Sequence, residues 1–363
     1  MVRLAERAPR LVGIASCPPE HHVEQAAAMR FAARLFGGAL DVERLAGVFE
    51  NSGIERRQLC KPLAWFAQER GFGEKNDVFL AAAERLAASA VQQVLADHDL
   101  APADIDHLVF VTSTGLATPT IDARLLGRLG FRPGTLRTPL FGLGCAGGAL
   151  GLIHATELLR GRPRHKLLLV NVELCALTFQ HDDRSKSNFV ATALFGDGVT
   201  AALLVGGAHD GVMNEGYGGL EVCHAATHLW PDTLDVMGWN FVNHGMQVVF
   251  SARIPELVRR EMPGCLEAFL AAADVTQDAV DHWAVHPGGA KVLAAYESAL
   301  GLDAAQLARS RRVLAEHGNC SAVTVMLVLE DLLRSGALRH GDRVLTTALG
   351  PGFSAGTLLW QRV

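Results

Sequence analysis

Laid over itself with a shift of 174 residues, the chain repeats its own pattern. FVTSTG (110–115) falls on AVHPGG (284–289), GCAGG (144–148) on GNCSA (318–322), and ELLR (157–160) on DLLR (331–334). One gap-free register serves all three, and it is far longer than the ~20–50-residue periods of solenoid repeats. Short apolar, β-branched runs at 11–16, 107–114, 166–174, 199–206, 282–286 and 343–350 read as buried strands. Ala- and Leu-rich stretches such as 78–99 and 149–161 read as helices between them. This alternation predicts an α/β fold built from two similar halves. The register equates Thr112 with His286 and Cys145 with Asn319. Pseudo-twofold packing would therefore bring a strand end and a helix start from each half toward one centre.

Composition narrows the function. The 363 residues are 49% hydrophobic and 20% charged, enough apolar material for one large core or two fused ones. A formal net charge of −5 leaves no basic surplus for a phosphate backbone, so no nucleic-acid partner is expected. The start MVRLAERAPRLVGIASC has charges through residue 10 and only a short apolar run, which fits neither a secretory signal nor a membrane span. A cytoplasmic protein with no membrane insertion is expected. Seven cysteines, at 17, 60, 145, 175, 223, 265 and 320, are an odd number with no CxxC pair, which argues against a disulfide framework or a cysteine zinc site. The histidines are scattered, and the adjacent pair His21–His22 has no third ligand in view, so no metal is expected.

One cysteine stands apart. In FGLGCAGGAL (141–150), Cys145 lies where a strand-like segment gives way to a helical pattern. Free N–H groups and the positive end of a helix dipole stabilise an anion there, which predicts a lowered thiol pKa. The glycines would permit a sharp turn and let an acyl group approach the sulfur. A buried structural cysteine in a glycine-rich turn would read the same way in isolation. His286, in AVHPGG, ends a strand just before a turn and a helix start, a place that favours an exposed functional imidazole able to pair with a thiolate. Asn319, in HGNCSAV, occupies the duplicate of the nucleophile position and offers a neutral amide donor for an enolate. Together Cys145, His286 and Asn319 form a Cys-His-Asn constellation in chain order.

The chain resembles the type III polyketide synthases of the chalcone synthase superfamily over nearly its whole length. The resemblance is carried by LVGIASCPPEH, TSTGLATPTID, GLGCAGGALGL, ELCALTFQ, ALFGDGVTAALLVG, IPELV, VHPGGAKVL, HGNCSAVTV and ALGPGFSAG. It implies a thiolase fold, with duplicated βαβαβαβ halves in a five-layered α-β-α-β-α architecture. The halves expected are 1–215, carrying the nucleophilic Cys, and 216–363, carrying His and Asn. The implied reaction is iterative decarboxylative condensation: Cys145 takes an acyl group from a coenzyme A thioester, and His286 and Asn319 polarise malonyl-CoA so that loss of CO2 gives an enolate. No permanently bound cofactor is implied. Malonyl-CoA and an acyl-CoA starter are the expected small-molecule partners, and a homodimer the expected assembly.

The resemblance also implies a pocket. Phe195, in ALFGDG, matches the aromatic gate between coenzyme A tunnel and cavity. Val248 stands where plant relatives carry a second gate phenylalanine, and Thr118 where they carry a methionine that reaches the partner subunit; both changes remove bulk. Thr178 is retained, while Cys175 replaces a threonine and is expected to line the pocket with Ser321. Trp239 stands near a position that is often glycine. Arg56 and Arg57 match a basic segment expected at the coenzyme A phosphates, with Gly288 and Lys291 beside them; a solvated charged turn is the plain alternative for the arginine pair. ELCALTFQ and MGWNFVNHGMQVVFS look most like bacterial members primed by fatty acyl-CoA, which implies alkylpyrones or alkylresorcinols. The rival enzyme reading is a ketoacyl synthase III-like protein that condenses once with an acyl carrier protein. A papain-order cysteine hydrolase and a non-catalytic binding scaffold are more distant alternatives.

Overall fold

The structure, a computed structural model, describes residues 8–37, 47–209 and 219–363. Its frame is a mixed sheet built from β1 (Arg10–Ser16), β4 (His107–Thr112), β5 (Leu136–Phe141), β6 (Lys166–Leu174), β7 (Asp197–Val205), β8 (Leu220–Leu229), β11 (His282–Val285), β12 (Arg343–Gly350) and β13 (Ser354–Arg362). The spatial order is β11-β12-β13-β8-β1-β7-β6-β4-β5. Two ribbons stand apart from it: β2 (His21–Glu24) with β3 (Arg56–Leu59), and β9 (Met237–Val242) with β10 (Gly245–Phe250).

The duplication is visible in the pairing. β4 runs parallel to β6, and β6–β7 and β7–β1 are antiparallel; β11–β12 is likewise parallel, with β12–β13 and β13–β8 antiparallel. Among the described residues the two sets pair through β1 and β8, at Arg10↔Glu221 and Leu11↔Leu220. The match is incomplete at one point. Among the described residues β5 has no counterpart in the second set, where the chain instead forms helix Ala308–His317. The expected boundary at 215/216 falls in 210–218, outside the described residues.

Alternation of side chains along each strand sets the layers, because successive residues face opposite sides of a sheet. Leu168, Val170 and Val172 of β6 pack outward against helix Phe72–Ala96, while Leu167 and Leu169 face inward. Leu345 and Leu349 of β12 pack against helices Ile254–Ala272 and Ala290–Leu300, while Val344 and Ala348 face inward. Both inward faces close on the same two helices, Gly147–Gly161 and Ala322–Arg334, giving five α-β-α-β-α layers. These central helices are apolar nearly all round, as helices covered on every side must be. They approach closely at Gly148, where a Cβ would meet the Ala322 carbonyl and the Val325 side chain. Helix Phe72–Ala96 is long and apolar enough to cross a membrane, but its buried face is part of this core.

Candidate active site

The two central helices begin beside each other, and the residues just before them form the site. Cys145 lies in the turn Gly144–Ala146 that leads into helix Gly147–Gly161. Gly144 takes φ 49°, a left-handed conformation that suits glycine, and its N–H donates to Ser113 Oγ at 2.8 Å. Asn319 lies in the equivalent turn before helix Ala322–Arg334. Its Nδ2 is 3.9 Å from Cys145 Sγ and donates to the Gly288 carbonyl at 3.3 Å. Its Oδ1 accepts from the Ser321 N–H at 2.8 Å. Ser321 holds φ 50°, a conformation that costs a non-glycine residue energy and is found where surrounding structure enforces it.

His286 follows β11, and its N–H donates to the Thr347 carbonyl at 2.9 Å. Cys145, His286, Gly288 and Asn319 wall one small inner cavity, with Met237, Phe250, Ile254, Val292, Tyr296 and Leu349. The pattern-derived trio is thus brought to one place.

Its electrostatics differ from the expectation. Cys145 and His286 are only 6% and 4% exposed rather than open to solvent. Burial pushes the Cys145 thiol up to about 11, with Ser321 and Asn319 hydrogen bonds opposing the shift. Burial alone pulls His286 down to about 3, and among the described residues neither of its ring nitrogens has a hydrogen-bond partner. The helix-terminus effect is typically a fraction of a kcal/mol to ~2 kcal/mol, too small to outweigh removal of the charge from water. Burial thus opposes charge on both groups, pushing the thiol up and the imidazole down.

Glu173 escaped notice in the sequence. It closes β6, is wholly buried, and accepts from Ser113 N (3.0 Å), Thr114 Oγ1 (2.8 Å) and Ser321 Oγ (3.3 Å). Burial pushes its carboxyl up to about 7 despite these donors. The available signal was an acid ending an otherwise apolar strand, KLLLVNVEL.

A second pocket has Phe195 in its lining. Cys175, Thr178, Phe195 and Val248 all line it with a mainly apolar set including Val23, Phe31, Leu59 and Phe66, and Arg57, Asn188 and Thr192 also reach its wall. Trp239 stands opposite Val248 on the β9–β10 ribbon and meets the Phe195 ring edge-on at 6.2 Å. Ser321 lies behind the site on Glu173 rather than in this wall. Thr118 sits on an exposed loop away from both cavities.

A third, larger cavity shares Phe250, Ile254, Gly288 and Val292 with the inner one. Lys186 and Lys291 line it together with Asn51 and Ser52, and among the described residues no carboxylate does. Arg56 lies outside this lining, half-exposed, and pairs with Glu316 at 3.5 Å. The expectation for Arg57 does not hold. Its side chain is buried, and both terminal nitrogens are spent on carbonyl oxygens inside the protein. Among the described residues no group of three or more His, Cys, Asp or Glu is placed to hold a metal ion.

Comparison with known proteins gives a consistent picture. The family described as "Chalcone and stilbene synthases, N-terminal domain" matches residues 64–209, and "Chalcone and stilbene synthases, C-terminal domain" matches 221–363. A putative chalcone synthase of Bacillus subtilis is 37% identical over 360 residues, covering 97% of this chain and 99% of the relative. A 1,3,6,8-tetrahydroxynaphthalene synthase of Streptomyces peucetius is 41% identical over 305 residues, covering 84% of this chain and 80% of the relative. The crystal structure of 1,3,6,8-tetrahydroxynaphthalene synthase from Streptomyces coelicolor, a bacterial type III polyketide synthase, superposes with a TM-score of 0.91 at 26% identity, covering 97% and 99% of the two chains.

Proposed function

The chain belongs to the chalcone and stilbene synthase family of type III polyketide synthases, and on that premise we propose that it extends a Cys145-bound long-chain acyl starter with malonyl-CoA and cyclises the product to an alkylpyrone or alkylresorcinol. The single observation that carries the starter class is the apolar pocket bounded by Phe195, Cys175 and Val248, which offers an alkyl chain a wall with little polar competition.

The residues divide the chemistry as follows. Neutral His286 accepts the thiol proton as Cys145 sulfur attacks the starter thioester, and returns it to the departing coenzyme A sulfur. The pantetheine arm enters through the larger cavity, whose Lys186 and Lys291 suit its phosphates. When malonyl-CoA follows, the electrons of the breaking C–CO2 bond pass into the thioester carbonyl. The developing oxyanion is met by Asn319 Nδ2 and the His286 ring, at a site where burial strengthens each hydrogen bond. The enolate carbon attacks the acyl carbon, Cys145 sulfur leaves, and the extended chain stays on coenzyme A. The carrier-protein reading has no comparable support. The family reading also includes a homodimer, for which β5, an edge strand with exposed Phe141, offers the natural face.

The second reading is 1,3,6,8-tetrahydroxynaphthalene itself, favoured by the 41% identity to a synthase of that name. That product carries no alkyl tail. Purified protein given malonyl-CoA with starters graded from acetyl to stearoyl, beside Cys145→Ala, separates the two by mass spectrometry. Alkyl-bearing products that peak with long starters support the proposal. Hydroxynaphthalenes formed regardless of starter would replace it with the second reading.

A further inference from the structure

Arg57 does a different job from the one its sequence context suggests. β3 alternates, so Arg56 faces outward and Arg57 inward. Its Nη1 donates to the carbonyls of Thr192 (3.0 Å) and Phe195 (2.9 Å), and its Nη2 to the carbonyl of Ala193 (2.8 Å) and to Gln25 Oε1. These carbonyls close helix Lys186–Leu194, where the last turn leaves them without intrahelical partners and the dipole favours a cation. Gln25 shares the task, donating to the Ala193 carbonyl at 3.1 Å and Ser52 Oγ at 2.8 Å.

The gripped segment passes its geometry on. The Asn319 N–H donates to the Leu194 carbonyl at 2.8 Å, and the Gly196 N–H donates to the Asn319 carbonyl at 3.0 Å. Phe195 and Asn319 thus lie in a short parallel bridge. One residue further, Asp197 accepts the N–H groups of Cys60 and Ala176, each at 2.8 Å. Residues 194–197 are therefore held from three sides, and Gly196 has no room for a Cβ beside the His317 carbonyl.

We propose that Arg57 is a positioning residue for the condensation, setting the Phe195 ring in the pocket wall and the Asn319 amide against Cys145 through one backbone segment. The inference rests on the condensation reading above for its effect on turnover, and on geometry alone for its effect on Cys145.

The test uses the full chain as Arg57→Met, Arg57→Lys and Gln25→Leu. Three quantities are read: product formed against malonyl-CoA lost to uncoupled decarboxylation, the rate of Cys145 alkylation by iodoacetamide, and the melting temperature. Misplacing a reacting group by an ångström can cost ~100-fold, so Arg57→Met should lower extension by roughly tenfold or more at unchanged KM for malonyl-CoA. The share lost to decarboxylation should rise, the Cys145 alkylation rate should shift severalfold, and Arg57→Lys should recover part of both. If Arg57→Met only lowers the melting temperature, with coupling ratio and alkylation rate as in the wild type, Arg57 is scaffold and the proposal falls. If Arg57→Met does not fold, Gln25→Leu and Arg57→Lys give the same two readouts and decide it. A wild type that consumes no malonyl-CoA overturns the condensation reading, while the alkylation comparison still decides the brace.

Discussion

The side-chain amide of Asn319 lies 3.9 Å from the sulfur of Cys145, and the two residues occupy equivalent places 174 positions apart in the duplicated chain. Each stands just ahead of a central helix, so the seam between halves supplies both the sulfur and the donor beside it. Asn319→Ala removes that donor. Loss of one oxyanion donor typically costs roughly 10²–10³-fold in kcat, so malonyl-CoA decarboxylation should drop by about that factor while Cys145 still accepts an acyl group. Acyl-enzyme mass spectrometry beside a CO2-release assay reads the two steps separately, and parallel loss of both would contradict the division of roles.

The opposite shifts of His286 and Cys145 have a pH signature. His286 titrates at about 3 when folded, below its ordinary 6.5, so between these values the unfolded chain takes up a proton that the folded chain refuses. Stability should fall as pH drops through that window. Cys145 titrates at about 11, above its ordinary 9.0, so between those values the unfolded chain loses a proton that the folded chain keeps, and stability falls as pH rises. Thermal melts across pH should show a shallower acid limb in His286→Gln and a shallower alkaline limb in Cys145→Ala. Limbs as steep as in the wild type would assign the linkage to other buried groups.

Gly148 fixes the distance between the two central helices, since a Cβ there meets the Ala322 carbonyl and the side chains of Val325 and Met326. Gly148→Ala should cost about 1–3 kcal/mol, as overpacking does in a closed core. Because Ala322 follows Asn319 by three residues, the same change should lower condensation in the protein that remains folded. Urea denaturation and specific activity check the pair, and unchanged activity per folded molecule would mean that helix spacing does not set the site.

Val248→Phe should fill the pocket shared by Cys175, Thr178 and Phe195. Discrimination by apolar fit is worth ~10–200-fold, so kcat/KM for long acyl-CoA starters should fall within that range while acetyl-CoA is spared. Trp239→Ala removes the ring that meets Phe195 and should broaden the product profile. A profile by chain length that neither change moves would place the alkyl chain elsewhere.

Much of this was legible in the sequence because it depends on local pattern. β6 at Lys166–Leu174 and β12 at Arg343–Gly350 coincide with the apolar runs, since strands buried on both faces read as continuous hydrophobic stretches. The grouping of Cys145, His286 and Asn319 around one cavity was legible because each sits at a strand or helix boundary marked by glycine. The burial that shifts Cys145 and His286 was not legible, because it comes from layers contributed by distant segments. Arg57 was misread for the same reason. Two adjacent arginines look alike in a string, and only the strand that sends them to opposite faces distinguishes a surface ion pair from an internal brace. Glu173 was missed because its partners, Ser113, Thr114 and Ser321, come from two other elements.

The β9–β10 ribbon pairs with neither half of the main sheet, yet it brings Trp239 and Val248 to the edge of the reaction space. On the proposed reading, Trp239 and Val248 would tune product size from a ribbon that also lends Met237 and Phe250 to the wall around Cys145. A substitution in the ribbon disturbs no strand of the main sheet, whereas one beside Cys145 or Asn319 must satisfy both halves of the duplication. If the proposed reading holds, substitutions confined to this hairpin should change products without touching the strands that carry the duplication.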